Sequence, residues 1–485
     1  MLKTVEGRTQ AVSLSAFLAT IGLVLGAADV VGQEPVDFRA KDGTRFVLMP
    51  TPGAPLVHWS VATPIGAAVD PADAPGLAEA AALASMRGTW SFGSLNAARE
   101  RDTLAELDAL EAELRAAPKV SAAELDARRA RASELRALAA TLCDTAAFRR
   151  VLAAAPASGV SIRSTANASI LSLRTTPLAL PQVAKLLVDR RERQTLRNVD
   201  ADLDAVQRNA AAAWDADPLS PLRSEMLALA FAGHPIARSG ERPQPAPVRR
   251  DAAFATWAQS QHPQNTVHVL TGSFDPAAVR TDLERAFERT LLPATQPRQP
   301  ATPRALTATR RASVPGARFP AALVAFALPT ELDRDAAATA ARWFAEGPES
   351  WLGKELVRAG RASARVAVRA PWPDTAATGL LLIEVTDTAG TREGLAEETL
   401  ALIANGRAAA PEPGQLPLRF AAQQHAFAIA TDGAAGFAAW CADRALATHG
   451  NGIPTAPTAP VYPELVESLR RVLASSPIVV EWRDQ

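Results

Sequence analysis

The sequence predicts an α+β protein built from two units of similar size. Three observations carry that reading. Short strand-like runs alternate with helix-like runs along the chain. Residues 290–315 are rich in Pro, Thr, Ala and Arg, lack apolar periodicity and read as a linker. Beyond them the strand and helix pattern starts again. The chain has 485 residues, too many for one ordinary domain.

In chain order, the first signal is Asp42-Gly43 between Phe38-Arg39-Ala40 and Arg45-Phe46-Val47-Leu48-Met49. Asp-Gly between apolar runs is a hairpin signal, because the turn needs positive φ. Residues 55–62 form a third strand candidate, and an Ala-rich helix runs from about Pro75-Gly76-Leu77 to Met86. Leu104, Leu107, Leu110 and Leu114 recur at helical spacing; past Pro118, Ser121 and Glu124 form a capping box for a second helix with Leu125, Leu135, Leu138 and Leu142. Residues 97–147 therefore read as a helical hairpin with a solvated charged face.

Strand character returns at 158–176, an amphipathic helix follows from Pro181 to Arg190, and Thr266–Thr271 is a further strand. Asp275 then caps a helix with Pro276 at its first position and Val279, Leu283 and Phe287 on one face. After the linker come strands at 319–328, 362–370, 379–386 and 477–482, a helix at 334–346, and long helices across 415–449.

Composition bounds the function. Lys+Arg and Asp+Glu are both 51, so there is no basic surplus for nucleic acid. At 48% hydrophobic, the chain can bury sizeable cores. Lys3 and Arg8 precede an uncharged run from Ala11 to Ala28 that ends in small residues. This pattern reads as a signal peptide over 1–28, placing the chain in the periplasm or outside the cell. If the segment is uncleaved, residues 11–28 are the alternative, a membrane anchor of borderline length. Cys143 and Cys441 suit isolated buried thiols or, in an exported chain, one disulfide across the halves.

One stretch has a family likeness. Gly76-Leu77-Ala78-Glu79-Ala80-Ala81-Ala82-Leu83-Ala84-Ser85-Met86-Arg87-Gly88-Thr89 resembles the G-L-A-H-x-x-E-H-x-x-x-[KR]-G-T helix of the pitrilysin/insulinase zinc metallopeptidases, which include the mitochondrial processing peptidase. Asp42-Gly43, Leu107–Leu110, Gly233-His234-Pro235-Ile236, His262 to Pro276 and Lys354–Val357 resemble further family segments in the same order. The resemblance implies two homologous halves, 35–289 and 316–485, each a mostly antiparallel sheet backed by helices. The hairpin 97–147 is then an insertion in the first half.

The resemblance also locates what is missing. The family binds zinc with two His four residues apart on one helix face, and a neighbouring Glu deprotonates the bound water. Here Glu79 stands at the first His, Ala82 at the Glu and Leu83 at the second His. Alignment puts Asn209 at the third ligand, normally a Glu. Leu and Ala neither bind zinc nor move protons, so the expectation is no catalytic residue, no metal and no cofactor. In two-chain members the subunit lacking zinc supplies an Arg and a Tyr from its second half. Arg358 or Arg361 matches that Arg, whereas the Tyr falls at Ser363 or Ala364.

The six His residues include no i, i+4 pair, and His234 and His262, each before Pro, suit turn roles. No G-x-S-x-G elbow or phosphate-binding P-loop occurs. The expected function is an exported, non-catalytic metallopeptidase homologue. It would pair with a zinc-motif-bearing paralogue as a heterodimer, or with itself, and help enclose extended peptides. The alternative is a stand-alone binding or scaffold protein; an active zinc peptidase with an unrecognised site ranks third.

Overall fold

The computed structural model describes residues 34–67, 70–71, 73–116, 121–166, 168–244, 250–289, 308–315, 319–328, 334–373, 379–389, 394–406, 436–439, 441–442 and 462–483. The export segment 1–28, the linker up to residue 307, His425 and His449 lie outside them. So does most of the 415–449 helical region.

The expected hairpin opens the first sheet. β1 (Val36–Arg39) and β2 (Arg45–Pro50) pair antiparallel. Gly43 turns the chain at φ +96°, a conformation open to Gly at no steric cost, and the Asp42 carboxylate accepts the Thr44 N–H at 2.9 Å. β3 (Val57–Thr63), β4 (Ala157–Ser164), β5 (Ser169–Thr175) and β6 (Val267–Gly272) complete a sheet of order β1-β2-β6-β3-β5-β4. Only β2 and β6 run parallel.

The second half contributes β7 (Arg310–Pro315), β8 (Ala321–Ala327), β9 (Ala364–Trp372), β10 (Leu380–Asp387) and β11 (Ile478–Arg483), in the order β7-β11-β8-β10-β9. Set β1 aside and the two orders are the same: first strand, last strand, second, fourth, third. In both sheets the first and last strands form the parallel pair. Helices fall at matching points too. Leu77–Ala84 lies between β3 and β4 as Arg334–Ala345 lies between β8 and β9; Leu180–Glu192 follows β5 as Leu395–Gly406 follows β10. The halves are one architecture used twice.

One strand corrects the linker boundary. Residues 310–315 were expected inside the linker, but they form β7 at the edge of the second sheet. Arg310-Arg311-Ala312-Ser313-Val314-Pro315 alternates half-buried and exposed side chains. An edge strand covered on one face needs few large apolar residues and tolerates a terminal Pro, so composition alone hides it.

Each sheet packs one face on helices of its own half. Leu180, Val183, Leu187, Phe148, Leu152 and Phe287 cover the first, and Phe344, Leu352, Ile403, Leu469 and Leu473 cover the second. The opposite faces are exchanged. Leu222, Met226 and Leu227 of the Ser220–Ala230 helix, from the first half, pack on Leu323, Leu382 and Val480 of the second sheet. Ala438, Cys441 and Ala442, from the second half, pack on Val47, Ala62, Ile170 and Val269 of the first. Arg223 adds a bidentate pair to Glu384 at 2.6 and 2.9 Å. Fully burying one such Leu stabilises by about 1.5–3 kcal/mol, so the halves support each other.

The expected hairpin is two helices, Ala97–Ala116 and Ala122–Thr141, joined through Leu107, Ala132 and Leu135. Ser121 caps the second by accepting the Glu124 N–H. Residues 142–147 do not belong to it: a turn leads into a separate helix, Ala147–Ala154. Nor is its charged face wholly solvated, since Glu100 is buried against Arg197.

Candidate functional site

The site is built where the Leu77–Ala84 helix meets the Val199–Ala216 helix. Gly76 starts the former at φ +88°, and an added Cβ there would lie 2.9 Å from Val206 Cγ1. Only Gly fits so close an approach in the left-handed region. Asp70 caps the helix, its carboxylate accepting the N–H groups of Gly76 at 2.6 Å and Ala78 at 2.7 Å. Ala78, Ala80, Ala81 and Ala84 pack against Ile65, Leu203 and Trp257. Small side chains allow this close helix contact. Two further bonds fix the pair: Gln207 Nε2 donates to Pro75 O at 2.9 Å, and Arg87 grips Asp202 at 3.0 and 2.5 Å.

Beside the N-terminal turn lies a cavity of about 330 Å³ whose lining includes Gly76, Glu79, Val206, Gln207, Arg238 and Arg242. Glu79 reaches it with no hydrogen bond or ion pair among the described residues. Burial of the carboxyl pushes its pKa above the ordinary glutamate value. Ala82 is 1% exposed and sealed inside the helix packing. Leu83 is half-buried hydrocarbon.

The Asn209 alignment is corrected. Asn209 is exposed and absent from the cavity lining, whereas Val206, Gln207 and Ala210 line it. Helical periodicity explains the difference: 203, 206, 207 and 210 share the face turned to Leu77–Ala84, and 209 points away from it. None of the three lining residues is a carboxylate.

A resident zinc was tested against this donor set. Among the described residues no group of three or more His, Cys, Asp or Glu side chains converges to hold a metal. Of the carboxylates that line the cavity, Asp70 is engaged by backbone N–H groups, and Glu79, Asp73 and Glu241 form no such metal-holding group. Carboxylates that do not converge, with no His or Cys beside them in the lining, do not fit zinc, which takes four N, S or O ligands.

The residues from the second half do not join this cavity. Arg358, at the end of the Trp351–Arg358 helix, is exposed and paired with Glu355. Arg361 is mostly buried, donating to Glu398 at 2.8 Å with Asp387 at 3.6 Å. Ser363 bonds Asp387 and accepts the Ala389 N–H at 3.2 Å. These contacts tie the start of β9 to the end of β10 and the Leu395–Gly406 helix, and they occupy Arg361.

The remaining polar candidates have local roles. His234 and His262 accept the N–H of Ile236 and Gln264 at 3.2 and 3.4 Å, which are turn roles as expected. His268 is buried, accepts from Trp59 Nε1 at 3.1 Å, and is held well below the ordinary histidine pKa by burial and then by Arg191 and Arg190. Cys143 and Cys441 are both free and buried, so no disulfide crosses the halves. Burial pushes the Cys441 thiol up to about 12, which makes it inert. Sequence reasoning missed Gln207, Arg238 and Arg242; the one signal was Gly233-His234-Pro235-Ile236, which marks the loop that carries Arg238.

No family model matches the sequence. No curated protein matches it either. Solved structures do match in fold. A protease from Helicobacter pylori superposes with TM-score 0.62 at 12% identity, over 93% of this chain and 100% of that one. A peptidase M16 inactive domain from Pseudomonas fluorescens gives 0.60 at 14%, over 93% and 98%. The periplasmic protease PqqL from Escherichia coli gives 0.57 at 10%, over 94% of this chain but 48% of that one, so this chain spans about half its length. At such identities the likeness establishes the fold, which is the two-halved fold of M16-like peptidases.

Proposed function

We propose that this chain is an exported, non-catalytic relative of the M16-like peptidases. It acts as the partner of a zinc-bearing paralogue and forms part of a chamber for extended peptides. The observation that carries the reading is a contrast at one helix. The Leu77–Ala84 helix is capped, packed and set beside a cavity, yet offers Glu79, Ala82 and Leu83 in place of metal ligands and base. The likeness to a peptidase M16 inactive domain supports it. So does the retention of the second half, with its exchanged helices, in a chain that lacks the chemistry. Among the described residues no helix is long and apolar enough to cross a membrane; export rests on residues 1–28. The chain takes no cofactor of its own.

The test combines this chain with a zinc-motif paralogue from the same organism. Size-exclusion chromatography should show a complex at micromolar concentration, and peptide cleavage by the paralogue should rise, because enclosure positions peptide against the metal. No complex and no change in rate would overturn the subunit reading. One observation favours the stand-alone alternative: Arg361 is held by Glu398 and Asp387, and Arg358 is paired with Glu355, so both candidate gripping residues are already engaged within the chain. Peptide binding by the isolated chain, without complex formation, would establish that alternative.

A further inference from the structure

The first sheet carries a second polar concavity, which shares no lining residue with the cavity at Glu79. On β3 and β5, His58 pairs with Arg174 and Ser60 with Ser172; on β4, Ser161 pairs with Ser172. Alternation along a strand puts these five side chains on one face. Further along the same face Ala62 pairs with Ile170, and both lie under Ala438, Cys441 and Ala442. Among the described residues the face is apolar where Ala438, Cys441 and Ala442 cover it and polar beyond them. There it forms a hollow of about 180 Å³ lined by His58, Ser60, Gly159, Ser161, Ser172 and Arg174 together with Leu173.

The chemistry of the lining is one-sided: a guanidinium, an imidazole and three hydroxyls, with no carboxylate. Among the described residues Arg174 has neither ion pair nor hydrogen bond. It is nevertheless placed. At Gly159, φ is +62°, and an added Cβ would lie 2.7 Å from Arg174 Nε, so the missing side chain makes room for the guanidinium. β4 shifts register between Ser158 and Ser161, around that glycine. His58 Nδ1 is buried and unpartnered. Ser60 and Ser172 share one hydrogen bond at 3.0 Å, which leaves one of their two hydroxyl hydrogens to donate elsewhere.

We propose that this hollow is an oxyanion site, taking a carboxylate or phosphate group between Arg174, His58 and the paired serines. An anion would supply the charge partner Arg174 lacks and accept from His58 and a serine hydroxyl. Burial and then the Arg174 charge hold the His58 imidazole below its ordinary pKa, and a bound anion would relieve the repulsion from Arg174. The site is independent of the subunit reading.

Calorimetry on the full chain tests it with two probes: inorganic phosphate, and a short peptide with a free C-terminal carboxylate set against its C-terminal amide. At least one probe should bind in the millimolar range or tighter. Preference for the free acid over its amide identifies a peptide carboxylate; binding of phosphate alone identifies a phosphate-type ligand. Arg174→Gln should weaken binding by at least about tenfold, as loss of a charge-assisted bond does. Arg149→Gln, which removes an exposed charge elsewhere, should leave binding unchanged. The His58 imidazole resonance should move on titration. Failure of both probes to bind, equal binding by Arg174→Gln, an equal loss in Arg149→Gln, or an unmoved His58 resonance would each overturn the proposal.

Discussion

Arg197 and Glu100 form a salt bridge with both side chains 1% exposed, at 2.5 and 3.0 Å from guanidinium nitrogen to carboxylate oxygen. The pair joins the first hairpin helix to the segment entering Val199–Ala216. Arg197 also donates to the carbonyls of Thr89 at 3.0 Å and Phe92 at 3.2 Å. The loop after the Leu77–Ala84 helix is thereby fixed by Arg197, which Glu100 of the hairpin holds in place. Glu100→Ala strands a buried guanidinium and should cost about 3–5 kcal/mol in urea unfolding. A loss of about 1 kcal/mol or less, the scale of a surface pair, would show that the bridge is not structural.

The hairpin therefore divides into a base and a tip. The base holds Glu100, Leu104, Leu107 and Leu135, all buried, with Asp108 paired to Arg250 at 2.5 Å. Pairs farther out, such as Arg128 with Glu124 at 2.9 Å, are solvent-facing. Excising residues 112–130 with a short Gly-containing join should leave a cooperatively folding protein. Excising 97–141 should not. Equal stability of the two deletions by thermal melting would contradict this division.

Exchanged helices make the halves interdependent. Residues 34–289 expressed alone would expose Leu222, Met226 and Leu227, and residues 308–485 alone would lose that cover. Each half alone should bind a hydrophobic dye and unfold without cooperativity, and co-expression should restore a soluble complex. A cooperative transition from either half by itself would refute interdependence.

Glu79 should leave a pH signature. Its folded-state pKa is raised by burial, so its contribution to stability is full below the ordinary value of 4.5 and is lost as pH rises through the folded value. Glu79→Gln should therefore melt higher than the native chain at neutral pH, and the advantage should vanish on acidification below 4.5. A destabilised variant at neutral pH would mean that the carboxylate is engaged in solution.

Zinc should be absent in stoichiometric amount from the purified protein after dialysis. The expectation follows from the absence, among the described residues, of any three His, Cys, Asp or Glu side chains that could hold a metal together, and from hydrocarbon at Ala82 and Leu83. Stoichiometric zinc by elemental analysis, lost on Glu79→Gln, would overturn it.

Much of the fold was legible locally. Asp42-Gly43 announced its hairpin, Ser121 and Glu124 their cap, and Asp275-Pro276 its helix start, because turn and cap chemistry acts between near neighbours. That Glu79, Ala82 and Leu83 offer no His pair was equally plain, since side-chain identity alone decides whether a donor exists. Other features needed the third dimension. β7 is a strand because β11 lies beside it, and nothing within Arg310–Pro315 says so. Asn209 lost its place to Val206, Gln207 and Ala210 because helix rotation is set by packing against Gly76 and Leu77. Glu100 looked like one more surface charge until Arg197, 97 positions away, closed over it. The sequence by itself determined which local turns, caps and chemical groups exist. Tertiary structure decided which of those groups meet, because burial, register and helix rotation depend on partners far along the chain.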